Sequence, residues 1–166
     1  MTKLRTLYER DFFAWSKEQA EALRAAGRLR TNEPVDWENV AEEIETLGRS
    51  ERRELGSRIR QIIEHLVKLQ LSPAAEPRAG WRASIREQRT EIADLLQDSP
   101  SLRAQLDEIV REQSRRGVDN AVAELQGRGE LGRTPRRGAT PGGELAYSAE
   151  QVLGDWYPPE PKAVRE

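Results

Sequence analysis

Between Asp36 and Leu71, apolar side chains return every three or four residues through Val40, Ile44, Leu47, Leu55, Ile59, Ile62, Leu66 and Leu69. No proline interrupts them before Pro73. That spacing gathers the apolar residues on one stripe of a helix, and period-two alternation is nowhere sustained. At 1.5 Å per residue such a helix is roughly 50 Å long, more than a small bundle requires, so the rest of the chain must pack along it. Asp36 is the expected N-cap, its carboxylate accepting from the first free backbone N–H groups, and Ser72-Pro73 supplies the stop. Gly48 and Gly56 are the weak points and predict a kink or break.

The remaining segments read as shorter helices. One spans about Leu7 to Ala26, with Tyr8, Phe12, Trp15, Ala22 and Leu23 on one side and Gly27 just past its end. A third begins near Trp81 with Ile85, Ile92, Leu95 and Leu96 inward. Ser99 as N-cap and Pro100 at the first helical position open a fourth, which carries Leu102, Leu106, Ile109, Val110, Val118, Ala121, Val122 and Leu125 and bends at Gly117. Gly127 to Gly143 holds six glycines, two prolines and four arginines in 17 residues, the composition of a linker. Ser148 with Gln151 is a capping-box pattern for a short last helix, and Trp156-Tyr157-Pro158-Pro159 carries the aromatics to dock it. The expectation is all-α: an antiparallel bundle of four main helices around one long central helix. A bundle domain over 1–126, a linker over 127–146 and a docking C-terminal segment over 147–166 complete it.

Composition removes several classes of function. With 166 residues and no cysteine, the chain has no disulfide framework and no thiolate metal site. No apolar run is long enough to span a bilayer, and Met1 to Asp11 is charged rather than signal-like, so the expected setting is cytoplasmic, without a membrane partner. The net charge of −2 is uneven. Residues 49–90 carry 10 basic and 5 acidic groups, whereas 1–48 carry 7 and 10, and 91–132 carry 5 and 9. A basic middle can mark a polyanion site, but pairing with the acidic flanks produces the same pattern.

Chemistry has one place to hide. Glu51, Arg58 and His65 follow Ile44 at intervals of seven, within about 40° of one another on the apolar stripe. Gln88 intrudes similarly on the third helix. Ionisable groups on a core face must be paired, because unpaired burial costs several kcal/mol. They form either a register-setting polar seam or a ligand or catalytic site. His65 is the single histidine and hence the only imidazole base available. A di-metal carboxylate bundle would want Glu-x-x-His, and the residue three before His65 is Ile62. Glu42, Glu43 and Glu45 are followed closely by Arg49, Arg52 and Arg53, which favours ion pairing over a cation site. No metal and no cofactor is expected. The other side of the long helix aligns Arg49, Arg53 and Arg60, a candidate polyanion face with little aromatic interleaving for stacking bases.

The Arg58/His65 pair resembles the Arg–His pairs of helical ribonucleases of the HEPN family, in which histidine works near the scissile phosphate and arginine holds its charge. Arg60 and His65 have similar spacing but point about 140° apart on a continuous helix, so Arg58 is the better companion, at roughly 10 Å along the axis. Five blocks resemble a second family more closely: Tyr8 to Trp15, Glu38 to Arg53, Ser57 to Leu66, Trp81 to Arg89, and Asp98 to Leu102, with a resumption at Tyr147 to Pro158. On these the chain is similar to the bacterial family catalogued as domain of unknown function 29. The resemblance implies a small helical protein and supplies no catalytic residue. The leading expectation is therefore a non-enzymatic interaction or regulatory module with a protein partner. The alternative is a metal-independent ribonuclease or toxin using Arg58, His65 and Glu51, with nucleic acid the less favoured partner.

Overall fold

The computed structural model describes residues 3–29, 32–131 and 145–161, and among them all regular structure is helical. In chain order the elements are α1 (Lys3–Arg10), α2 (Phe12–Arg28), α3 (Trp37–Leu71), α4 (Arg78–Asp98), a 3-10 turn (Pro100–Gln105), α5 (Leu106–Gly127) and α6 (Ala149–Leu153). The long helix is α3. It starts one residue after Asp36, whose carboxylate accepts from the Asn39 N–H at 3.3 Å. It then continues for 35 residues through Gly48 and Gly56, so the expected break does not occur.

Gly48 serves packing. A Cβ at Gly48 would lie 2.1 Å from Ser16 Oγ, closer than any side chain permits. The same holds at Gly117, where a Cβ would meet Ile63 Cγ2 at 2.8 Å and the Arg60 carbonyl at 3.3 Å. The predicted bend there is instead a close crossing of α5 on α3. Gly27 lies inside α2 rather than beyond it, where Trp37 Cβ occupies the space a side chain would need.

Two helix starts differ from the sequence expectation, and both are decided by side-chain acceptors. The first helix divides at Asp11, whose extended backbone (φ −156°, ψ 90°) lets its carboxylate cap α2 through the Ala14 N–H at 2.9 Å. The same carboxylate accepts from the Ser101 N–H (2.8 Å) and hydroxyl (2.9 Å). Three donors to one charged acceptor outweigh a continued turn. Ser99 does not cap the fourth helix. Its hydroxyl accepts from the Phe13 N–H (3.2 Å) and donates to Glu51 (3.0 Å), leaving the 3-10 turn to lead into α5.

The chain divides into two compact units, Met1–Leu55 with Ile92–Gln105, and Gly56–Glu91 with Leu106–Glu166. In the first, α2 runs antiparallel to α3: Ser16 meets Gly48, Arg24 pairs with Glu45, and Gly27 faces Trp37. The seam between them is lined by small residues, with Ser16, Ala20, Ala41 and Gly48 buried. In the second, α3 contributes Ile59, Ile62, Ile63, Leu66 and Val67 to an apolar core, all fully buried, joined by Ile85, Ile109, Ala121 and Leu125.

The C-terminal aromatic segment belongs to the second unit. Ser148 and Gln151 form the capping box of α6, with bonds of 3.2 and 3.0 Å. The Tyr147 hydroxyl donates to Gln70 at 2.8 Å. Arg89 donates to the carbonyls of Gln151, Val152 and Trp156 at 2.9–3.0 Å and lies over the Tyr157 ring. Most of the Gly/Pro/Arg-rich segment, residues 132–144, falls outside the described residues.

Candidate functional site

The four residues that interrupt the apolar stripes do not meet in one site: Glu51 and Ser99 make one contact, Arg58 and Gln88 another, and His65 Nδ1 is covered without a hydrogen-bond partner. Glu51, in the first unit, accepts from the buried Ser99 hydroxyl, which in turn receives the Phe13 N–H, so it ties α3 to the start of the 3-10 turn and to α2. Arg58, in the second, donates to Gln88 Oε1 at 3.1 Å and pairs with Glu91 at 3.3 Å, both on α4. Gln88 is buried, and Arg58 is its anchor.

His65 is half-buried, and its Nδ1 is fully covered with no hydrogen-bond partner. Burial, reinforced by the neighbouring Lys68 ammonium and opposed by Glu124, depresses the imidazole from its ordinary value of 6.5 to about 4. Lys68 is itself buried and ion-paired with Glu124. A neutral imidazole at pH 7 has no proton to give to a leaving group, and a conjugate acid of pKa near 4 marks a weak base. Arg58 is held toward α4 by Gln88 and Glu91. Among the described residues no group of three or more histidine, cysteine, aspartate or glutamate side chains could hold a metal ion.

The candidate polyanion face is largely self-neutralised. Arg49 pairs with Glu42 and with Glu45 (3.7 Å) and donates to Thr46 at 2.6 Å. Arg60 reaches Gln113 and Ser57 at 3.4 Å and Glu64 at 3.9 Å. Arg53 is exposed. Other arginines act on helix ends, where free carbonyls and the negative end of the macrodipole favour a cation. Arg78 donates to the Leu69 carbonyl at 2.9 Å, Arg103 to that of Leu96 at 2.9 Å, and Arg89 to the carbonyls of α6. The sequence reading missed these caps, although Arg78 and Arg103 each fall seven to nine residues after the carbonyl they serve.

It also misplaced the apolar stripe of the first unit. Along α3 the inward residues are Ala41, Gly48 and Leu55, while Val40 is 41% and Leu47 49% exposed. At about 100° per residue, Val40, Ile44 and Leu47 lie roughly 60–120° to one side of the seam. On α2 the inward residues are Phe13, Ser16 and Ala20, and the predicted stripe of Phe12, Trp15 and Leu23 turns to the same side. Tyr8, 51% exposed, packs edge-on against Trp15 at 4.8 Å and Phe12 at 6.0 Å. The opposite flank of the pair carries an ion ladder, in which Arg24 reaches Glu38 (3.1 Å), Glu42 (3.4 Å) and Glu45 (2.8 Å). Those bonds hold the Arg24 pKa above and the Glu45 pKa below their ordinary values. Tyr8, Phe12, Trp15, Leu23, Val40, Ile44 and Leu47 thus form a partly exposed apolar flank beside a seam too tight to take them.

Comparison with known proteins places the chain. A family model described as Domain of unknown function DUF29 matches residues 7–157. The chain is similar, at 33% identity with 89% of each chain covered and a TM-score of 0.71, to an alpha-helical protein of unknown function from Rhodospirillum rubrum whose crystal structure is known. No curated protein matches it.

Proposed function

We propose, from the premise that this chain belongs to the DUF29 family, that it is a non-enzymatic interaction module. Its partner, in this reading, is a protein that meets the apolar flank of α1, α2 and the N-terminal half of α3. The observation that carries the reading is the exposure of Tyr8, Val40 and Leu47 on one flank, continuous with Phe12, Trp15, Leu23 and Ile44. Leaving such residues in water forgoes about 25 cal/mol per Å² of burial that a partner can recover. Glu51 and Arg58, by contrast, are engaged within the fold. A HEPN-like ribonuclease would need His65 to exchange a proton near neutrality and Arg58 to face a phosphate, and the contacts of both residues count against it. The chain lacks cysteine, which suits a cytoplasmic setting. No helix among the described residues is long and apolar enough to cross a membrane.

The test is tagged purification from source cells of the wild type, Leu47→Glu and His65→Ala. The expected result is a stoichiometric protein partner present with wild type and His65→Ala and absent with Leu47→Glu, all three remaining folded by circular dichroism. Retention of that partner by Leu47→Glu, or RNA hydrolysis by the wild type that His65→Ala lacks, would overturn the reading.

A further inference from the structure

Arg78, Arg82 and Arg89 fall on one face of α4, within about 40° of one another at helical spacing, and all three meet residues 147–160 of the same chain. Arg89 is the pivot. Its guanidinium donates to the carbonyls of Gln151 (3.0 Å), Val152 (2.9 Å) and Trp156 (2.9 Å), so it reads main chain, at the end of α6 and in the turn after it, rather than a side chain. Arg82 and Arg89 lie over the Tyr157 ring at 5.4 and 5.0 Å, and Glu160 sits 3.7 Å from Arg78 and 3.5 Å from Arg82. A helix end, an aromatic ring and a carboxylate are thus each met by a cation of α4, as the parts of a bound peptide would be. The segment is also separable. Of residues 145–161 only Tyr147, Val152 and Pro158 are buried, and a hollow of about 220 Å³ is left between Gln70, Tyr147, Gln151, Trp156 and Pro159. On release the guanidinium and the carbonyls both return to water, so no polar group is left buried without a partner.

We infer that this α4 face is a peptide-recognition site whose ligand is the segment 147–160, and that the same segment of a second copy of this chain fills it by exchange. Each copy brings one segment and one matching site, so reciprocal exchange closes as a two-fold pair that keeps every contact. The covalent link permits it. Glu130 is tied to the Ser72 hydroxyl and Tyr147 to Gln70, two residues apart at one end of α3, while the 13 residues 132–144 that join them can reach at most about 45 Å. The same link sets the condition for exchange. It holds the home segment at an effective concentration on the order of mM, so dilute chains keep their own segment, and exchange takes hold when that segment is disabled or the chain is concentrated. The apolar flank of α1, α2 and the N-terminal half of α3 takes no part.

Two full-length variants test this. Val152→Asp disables the segment and keeps the site, whereas Arg89→Ala disables the site and keeps the segment. Each alone is expected to sediment as a monomer with its helical circular dichroism retained. An equimolar mixture should form a one-to-one complex, in which the segment of the Arg89→Ala chain occupies the site of the Val152→Asp chain. Tyr157→Ala, a milder break, replaces Val152→Asp should that variant lose its helical signal. A fluorescein-labelled peptide of residues 145–161 should bind Val152→Asp at least about tenfold more tightly than wild type, whose site is filled from within, and should lose that binding when Arg89→Ala is added. Leu47→Glu placed in both chains should leave the mixed complex intact. Peptide binding without a complex in the mixture overturns exchange between copies and assigns the site to a peptide of a different partner. No peptide binding to folded Val152→Asp or Tyr157→Ala overturns the site itself. Association of either variant alone, or loss of the mixed complex with Leu47→Glu, also overturns the inference, since the copies then meet elsewhere, and in the second case the reading of the apolar flank stands.

Discussion

The two halves of α3 use the same amphipathic pattern for opposite ends. From Leu55 to Leu69 the stripe residues Leu55, Ile59, Ile62, Leu66 and Leu69 are at most 1% exposed. From Val40 to Leu47 the stripe continues at unchanged spacing, yet Val40 and Leu47 are about half exposed. The difference comes from the partner helices. In the C-terminal half, α5 crosses α3 at its own Gly117, so large aliphatic side chains of α3 such as Ile63 fill the space at the crossing. In the N-terminal half, α2 approaches through Ser16, Ala20, Ala41 and Gly48, and a seam of small residues has no room for the stripe, which is displaced to the flank. A periodic apolar pattern therefore reports that a helix has an apolar face, while the neighbour's side-chain size decides whether that face becomes core or surface.

The largest expected contrast is one leucine truncation in each half. Leu66→Ala should lose about 3 kcal/mol or more, from lost burial plus the cavity left behind, whereas Leu47→Ala should lose under about 1 kcal/mol. Urea denaturation of the two variants measures this directly. Similar losses would mean that the flank is structural and that the halves do not differ.

Acid should weaken the C-terminal half through His65. Its folded value of about 4 lies below the ordinary 6.5, so the unfolded chain takes up the proton first. Stability is then unaffected above about pH 7 and falls as the pH drops from 6.5 toward 4, by at most about 3 kcal/mol. Urea midpoints between pH 7.5 and 4.5 should fall less steeply for His65→Gln than for wild type. Parallel slopes would show that folded His65 protonates freely.

The seam itself makes the third and smallest contrast. Gly48→Ala should cost about 2 kcal/mol, because its Cβ would overlap Ser16 Oγ. Gly80→Ala, at an α4 position with open space around it, should gain about 0.5–1 kcal/mol from helix propensity. Ser16→Ala combined with Gly48→Ala should recover part of the loss, since removing the hydroxyl removes the nearest atom. A purely additive double-mutant cycle would place the clash elsewhere.

Much of this molecule is local and so was legible from residue order alone. The helical class, the extent of α3 between Asp36 and Leu71, the Ser148/Gln151 capping box and the buried run from Leu55 to Leu69 follow from spacing and capping chemistry within a few residues. The seven-residue line of Glu51, Arg58 and His65 was visible as well. Their partners were not, because Ser99, Gln88, Glu91 and Glu124 lie 30 to 59 positions along the chain from them. The break at Asp11 was hidden for the same reason, since it depends on the Ser101 N–H and hydroxyl. Tertiary structure alone decided which flank of α2 and α3 stays in water. That choice rests on how closely two helices approach, and a glycine facing a serine 32 residues away sets that distance.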